Sequence, residues 1–209
     1  MNDRYIIVIG DIIRSRAIEN RAVFQKKLAK LIGSIGNSSI ITPYNIIFGD
    51  EIQAIYNGPV GLFEDIITIR EGIYPERMRL IISIGEITTR LNRLNTADVD
   101  GPAFYQARNA MQDLKKSNST IAFTSQDNFQ LIDYSLKLAF HSMDKWQHNR
   151  LLILKMLMNG IDKTEIASKL GISLRSIYKN IHEGALDKIM TIFTEIENQM
   201  EIITLSENS

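Results

Sequence analysis

Residues 44–56 read YNIIFGDEIQAIY: two runs that favour extended chain, Tyr44 to Phe48 and Ile52 to Tyr56, separated only by Gly49-Asp50-Glu51. A short connector containing glycine between two such runs predicts a β-hairpin, here with acids at its tip. Upstream, Tyr5 to Ile9 (YIIVI) is continuously apolar and β-branched and stops abruptly at Gly10-Asp11. An unbroken apolar run of that length fits a strand buried on both faces in the middle of a sheet.

Working outward, the spacing of Ala22, Leu28, Ala29, Leu31 and Ile32 among lysines predicts a helix over 18–32, closed by Gly33, Gly36, Asn37 and Ser38. After Asn57-Gly58-Pro59 a helix is expected over 61–71, then a strand from Met78 to Ile84 ending at Gly85-Glu86. Residues 101–116 (GPAFYQARNAMQDLKK) place proline at a helix start and lysines in its last turn, both favourable to a helix. Thr120 to Thr124 reads as a strand and 127–141 as a helix. Strands alternating with helices around one early hairpin predict a mixed α/β sheet, not a bundle or a sandwich. From about residue 143 strand patterns cease, which divides the chain into an α/β part, 1–143, and an all-helical part, 144–209, with Trp146 expected at the junction and the final LSENS expected to fray.

Asp11 and Asp50 are the acids this arrangement brings into question. Asp11 closes a central strand, where open α/β sheets bind ligands, and a hairpin paired beside that strand would carry Asp50 to it. Two neighbouring carboxylates need a cation between them, and Mg²⁺, or Mn²⁺, suits two carboxylates completed by water and phosphate oxygens. Glu51 would point away from Asp50 and is the weaker candidate. Arg14, Ser15 and Arg16, between Asp11 and the first helix, have the chemistry of a phosphate site. The plainer alternative is that Gly-Asp pairs end strands because they turn well, and that the arginines are merely solvated.

VIGDIIRSR, Arg21 and Gln25 in NRAVFQKKL, FGDEIQAIY, DGPAFYQARNA and the helical C-terminal stretch together resemble the SatD family over nearly the whole chain. The first part also resembles the catalytic domain of class III nucleotidyl cyclases, in which aspartates at the end of the first strand and in a Gly-Asp hairpin turn hold a metal pair. That resemblance implies a ferredoxin-like, cyclase-like mixed sheet (α/β, or α+β), with Asp11 and Asp50 as metal ligands and a nucleoside triphosphate as ligand. It further implies Arg108 as the arginine beside the reacting phosphates. The asparagine of that family has no counterpart, because Phe104 stands near its place, and no base-selecting residues are recognisable.

Residues 161–183, IDKTEIASKLGISLRSIYKNIHE, have the pattern of a helix-turn-helix. Asp162 caps a first helix with Glu165 three residues on, Ile166, Ala167 and Leu170 make an apolar face, Gly171 turns, Ile172 plugs the core and Ser173 caps a second helix. With Ile177 and Ile181 inward, Ser173, Arg175, Ser176, Lys179 and Asn180 are the candidate DNA contacts. The segment resembles sigma-factor region four and LuxR-type regulators, with Leu151, Leu152, Leu154 and Leu157 in a supporting helix. A packing or dimerising helical hairpin is the alternative. Residues 185–203 form a further amphipathic helix, fit either for a dimer seam or for packing on its own protein.

Composition sets the outer bounds. With 24 basic and 24 acidic residues the net charge is zero, so nucleic-acid binding would rest on a local patch, and a homodimer is expected to supply enough of it. The chain has no cysteine, which excludes disulfides, thiolate metal sites and cysteine nucleophiles. The three histidines are scattered and without carboxylate partners at ligand spacing. No signal peptide or apolar span long enough for a membrane is recognisable, so a cytoplasmic location with no membrane partner is expected. The combined reading is a DNA-binding regulator whose cyclase-like domain binds a nucleotide with Mg²⁺. An active cyclase or nucleotidyltransferase, or a dimeric adaptor, stands as the alternative.

Overall fold

The computed structural model describes residues 4–47, 49–127 and 129–205. Phe48 and residues 206–209, on which parts of the expected hairpin strand and the expected frayed tail fall, lie outside them. The elements run β1 (Arg4–Ile12), α1 (Arg21–Gly33), β2 (Ile40–Ile47), β3 (Glu51–Tyr56), α2 (Leu62–Ile73), β4 (Met78–Glu86), α3 (Pro102–Lys116), β5 (Ile121–Ser125) and α4 (Gln130–Met143). Four helices follow: α5 (His148–Met158), α6 (Lys163–Leu170), α7 (Leu174–Gly184) and α8 (Leu186–Leu205).

The strands form one five-stranded mixed sheet in the order β2-β3-β1-β4-β5. β1 is antiparallel to both β3 and β4, β2 is antiparallel to β3, and only β4 and β5 are parallel. The reading of YIIVI as a doubly buried central strand therefore holds, and its alternate residues enter different cores. Ile6, Val8 and Ile12 join the larger core with α1, α2, α4, α5 and α8, while Ile7 and Ile9 join a smaller one with Ala103, Phe104, Ala107, Met111 and Leu114 of α3.

β2 begins four residues before Tyr44, taking in Pro43, which the hairpin reading left out. Proline has no N–H for a ladder, and β2 accommodates it as an edge strand with register shifts on either side. The second difference concerns the division at 143. Strand structure stops there, but the core does not: Phe193 of α8 stacks on Phe63 of α2 at 4.3 Å, and Leu186, Ile189, Ile196, Met200 and Ile203 belong to the same buried cluster as β1. Of the two roles open to the last helix, its apolar side is spent on its own sheet. The 144–209 stretch is helical as expected, yet it completes the sheet's cover instead of standing as a separate core. Trp146, buried beside Arg150, sits at that junction. No helix among the described residues is long and apolar enough to cross a membrane.

Candidate functional site

The pairing of β1 with β3 sets the first part of the site. In register, Asp11 lies opposite Glu51, and the Ile12 N–H donates to the Asp50 carbonyl at 3.2 Å, so folding brings the two acids expected to act together to one end of the sheet. The hairpin tip is held from two other elements. The Ser15 hydroxyl, in the short 3-10 turn after β1, donates to the Asp50 carboxylate, and the Gln25 side-chain amide of α1 donates to the Gly49 carbonyl at 2.8 Å. Gly49 takes φ +87°, a left-handed conformation that suits glycine in so short a turn.

Asp11 is only 14% exposed and is neutralised from two sides. Lys115, in the last turn of α3, donates to its Oδ1 at 2.8 Å, and Arg79, its register partner on β4, approaches Oδ2 at 3.5 Å. The placing of α3 explains the first contact: the Ser83 hydroxyl of β4 donates to the Ala103 carbonyl at 2.9 Å, anchoring the helix start so that its far end reaches Asp11. Because opposed residues of an antiparallel pair share a face, Glu51 faces the same side as Asp11. Its carboxylate accepts from Gln53 at 2.6 Å. Asp50 lies in the turn before β3, outside that strand's alternation, so the period of two does not set Glu51 apart from Asp11's side.

Arg14, Ser15 and Arg16 are dispersed by the structure. Ser15 is buried against Asp50, Arg16 is exposed, and Arg14, in a left-handed conformation with φ 56° and ψ 34°, lines a cleft of about 550 Å³. This cleft lies where the loop after β1, residues 75–79 entering β4 and residues 117–120 entering β5 come together, with Asp144 behind them. Arg77 and Arg79 line it too, and Arg79 is thus shared between the cleft and Asp11. Neither arginine stood out in the sequence, since nothing in RMRL distinguishes a strand entry from any other basic pair.

Arg108 is placed differently from the resemblance. It pairs with Asp100 at 3.3 Å and lies over the Phe104 ring, on the outer side of α3. The Asp100 carboxyl is held below its ordinary range chiefly by the Tyr105 hydroxyl, with Arg108 adding to it. Arg108 stands about two helical turns before Lys115, on the order of 10 Å along the axis, and does not line the cleft. Phe104, at the place of the missing asparagine, is wholly buried in the smaller core.

Whether a metal suits the site turns on its charges. Among the described residues no group of three His, Asp or Glu side chains is arranged to hold a metal ion. Asp11 and Asp50 alone, with Lys115 and Arg79 already beside the former, do not make a free-standing metal site. A Mg²⁺ there would have to draw further oxygens from a ligand's phosphates and displace the half-exposed Lys115 from Asp11.

At the other end of the molecule, α6 and α7 meet through the expected turn. Asp162 accepts from the Thr164 and Glu165 N–H groups, both at 2.9 Å, Gly171 is left-handed, and the Ser173 hydroxyl accepts the Ser176 N–H at 3.1 Å. Ile166 and Ile177 are fully buried between the helices. Arg175 and Lys179 face solvent as expected, joined by Tyr178, which lies beneath Lys163. Two candidates are already engaged: Ser173 is the cap, and Asn180 accepts from Arg150 of α5 at 3.3 Å while donating to the Ser176 carbonyl at 3.0 Å.

The family model that matches the sequence is that of the SatD family, over residues 5–199. The chain belongs to the SatD family. The match spans both the sheet and the C-terminal helices, in keeping with the single core they share. No curated protein matches the chain.

One further cluster escaped the sequence reading. Arg70 of α2, 7% exposed, donates to Asp144 at 2.6 Å and lies over the Phe140 ring; Thr120 donates to the same carboxylate at 2.6 Å. Burial lowers the Arg70 guanidinium from its ordinary value, with Asp144 opposing and nearby Arg77 reinforcing that trend. Next to it, Glu71 receives His148 at 2.9 Å and Lys155 at 2.8 Å, fastening α2 to α5. The sequence shows only RE inside an apolar helix, and periodicity cannot reveal that their three partners lie more than seventy residues away.

Proposed function

We propose that this member of the SatD family is a DNA-binding regulatory protein whose sheet domain binds a nucleotide together with Mg²⁺. The observation that carries the nucleotide half is the meeting of Asp11 and Asp50 at one end of the sheet, linked through Arg79 to an arginine-lined cleft. Asp11 and Asp50 supply the protein oxygens, the ligand's phosphates complete the metal's shell, and Arg14 and Arg79 bear on those phosphates. The β1-α1-β2-β3-α2-β4 connectivity, with β4-β1-β3-β2 adjacent, supports the ferredoxin-like, cyclase-like reading of the domain, β5 being added at the edge. Binding without turnover is the reading preferred to a cyclase, because Arg108 is engaged with Asp100 and Phe104 fills the asparagine's place.

Support for the DNA half comes from the α6–α7 unit. Its caps and left-handed glycine are those of a helix-turn-helix, and α7 presents Arg175, Tyr178 and Lys179 outward while Arg150 holds it on α5. Two or three cations per copy neutralise few phosphates, so two copies acting as a homodimer are needed for useful affinity.

Calorimetry of ATP and GTP with Mg²⁺ tests the first half: binding is expected, and Asp11→Asn with Asp50→Asn is expected to abolish the contribution of Mg²⁺. Absence of binding by both nucleotides refutes it, as would a cyclic product found by mass analysis after incubation with Mg²⁺ or Mn²⁺ refute the preference against turnover. Selection from random DNA duplexes followed by gel shift tests the second half. Arg175→Ala and Lys179→Ala are each expected to weaken binding by about 1 kcal/mol or more and to flatten its salt dependence; no selected duplex, or unchanged shifts, refutes it.

A further inference from the structure

The cleft beside Asp11 has a chemistry of its own, independent of any metal. Three arginines line it from separate pieces of chain: Arg14 from the loop after β1, and Arg77 and Arg79 from the entry to β4. Arg79 shares Asp11 with Lys115. Arg14 and Arg77 make no ion pair and no side-chain hydrogen bond among the described residues. Of the two acids in the wall, Asp144 is committed to Arg70 and Thr120, which leaves Glu76 to face three arginines.

Two further features bear on what such a wall would hold. Arg14 keeps a left-handed backbone, a conformation that residues with a Cβ adopt rarely and that is over-represented at ligand sites. Arg77 also lines a neighbouring pocket together with the buried Arg70, so its charge bears on that guanidinium as well as on the cleft. The remaining wall is Ile13, Ala17, Ile18 and Pro75 with the polar segment 117–120, and among the described residues it contains no aromatic side chain on which a base could stack.

We infer that the cleft is a polyphosphate site, gripping its ligand by a chain of phosphates through Arg14, Arg77 and Arg79 and reading the attached nucleoside little. The inference rests on the nucleotide reading only for the identity of the natural ligand; the phosphate grip stands without it. Guanidinium groups spaced along a cleft suit several phosphates in a row, each arginine presenting a fork of donors to one phosphate.

The test is calorimetry of the full chain at low salt with sodium tripolyphosphate, ATP and AMP, first without divalent metal. Tripolyphosphate and ATP are expected to bind within about threefold of each other and to compete, with AMP weaker by about tenfold or more. Arg77→Ala and Arg14→Gly are each expected to weaken tripolyphosphate by about tenfold, and Glu76→Gln to tighten it a few-fold, while Arg16→Ala, outside the cleft, changes it by less than about twofold. Arg14→Gly separates binding from folding: glycine tolerates the left-handed backbone, so its melting temperature is expected to be no lower than that of the unaltered chain. The inference is overturned if tripolyphosphate does not bind at millimolar concentration, if ATP binds more than about tenfold tighter than tripolyphosphate, or if Arg77→Ala and Arg14→Gly leave binding unchanged. Tripolyphosphate binding that responds to Arg77→Ala but shows no Mg²⁺ effect and no response to Asp11→Asn would remove the metal reading and leave the cleft. ATP binding lost in Asp11→Asn, with no binding of tripolyphosphate, would do the reverse.

Discussion

Asp144→Ala is expected to cost this protein a large part of its stability. The carboxylate is 13% exposed and, among the described residues, is the only anion paired with Arg70, whose Nε and Nη1 have no hydrogen-bond partner there. Truncating Asp144 therefore leaves a buried guanidinium with no compensating charge and also deprives Thr120 of its acceptor. Removing one member of a buried pair costs about 3–5 kcal/mol, and the partial exposure of Asp144 toward the cleft puts the expectation at the lower end, about 3 kcal/mol. For a chain of 209 residues that corresponds to a fall in melting temperature of roughly 6–12 °C. The double change Arg70→Met with Asp144→Leu removes charge and counter-charge together and is expected to return to within about 1–2 kcal/mol of the original stability. Urea unfolding followed by circular dichroism at pH 7, on Asp144→Ala and on the four proteins of the Arg70→Met, Asp144→Leu cycle, gives both numbers. A loss below about 1 kcal/mol for Asp144→Ala would mean that Arg70 is not held desolvated and charged in the core, and the account of this junction would fail.

Stability should also fall as pH rises through the range set by two carboxyls, Glu197 of α8, which accepts from the Phe63 N–H of α2, and Asp65 of α2. Burial first, then the nearby Glu64 and Asp65, pushes Glu197 up to about 7 from 4.5, and burial with Glu64 pushes Asp65 up to about 6 from 3.8. Folded pKa values above the unfolded ones mean that the folded state holds the extra protons, so stability is greatest below the unfolded values and is lost as pH rises through about 6 and 7. Glu197→Gln is expected to flatten the melting temperature between pH 5 and pH 7.5, and an unchanged slope contradicts the assignment. Gly10→Ala tests the close approach behind the site: a β-carbon there would run into Met78 Cε and lie 2.9 Å from Ile52 Cγ1. A loss of about 1–3 kcal/mol in urea unfolding is expected; a neutral result would show that β1, β3 and β4 yield at this point.

Local patterns carried far in this chain because neighbouring elements agree with one another. The apolar run YIIVI, the glycine in FGDEI and the caps Asp162 and Ser173 each act within a few residues, and the structure places strands, turn and helix starts there. The start of β2 at Ile40, ahead of the run read from Tyr44, was out of reach because whether Pro43 is tolerated depends on which strand lies at the sheet edge, a matter of assembly. The place of Glu51 opposite Asp11 was out of reach for a similar reason: alternation says which residues share a face along one strand, but only the pairing of β3 with β1 tells which residue lies across from it.

What the sequence determined by itself is the set of elements and the residues that would meet if the hairpin paired with the first strand: Asp11 with Asp50, and the capped pair of helices at the far end. These follow from backbone preferences and periodicity, which operate over a turn or two of chain. Tertiary structure decided the rest. It brought Lys115 and Arg79 onto Asp11, gathered Arg14, Arg77 and Arg79 around one cleft, buried Arg70 against Asp144, and spread α8 over the sheet so that the two ends of the chain share a core. Charges more than sixty residues apart leave no mark in local pattern; their pairing is fixed by where packing leaves them, and by the cost of leaving any of them buried alone.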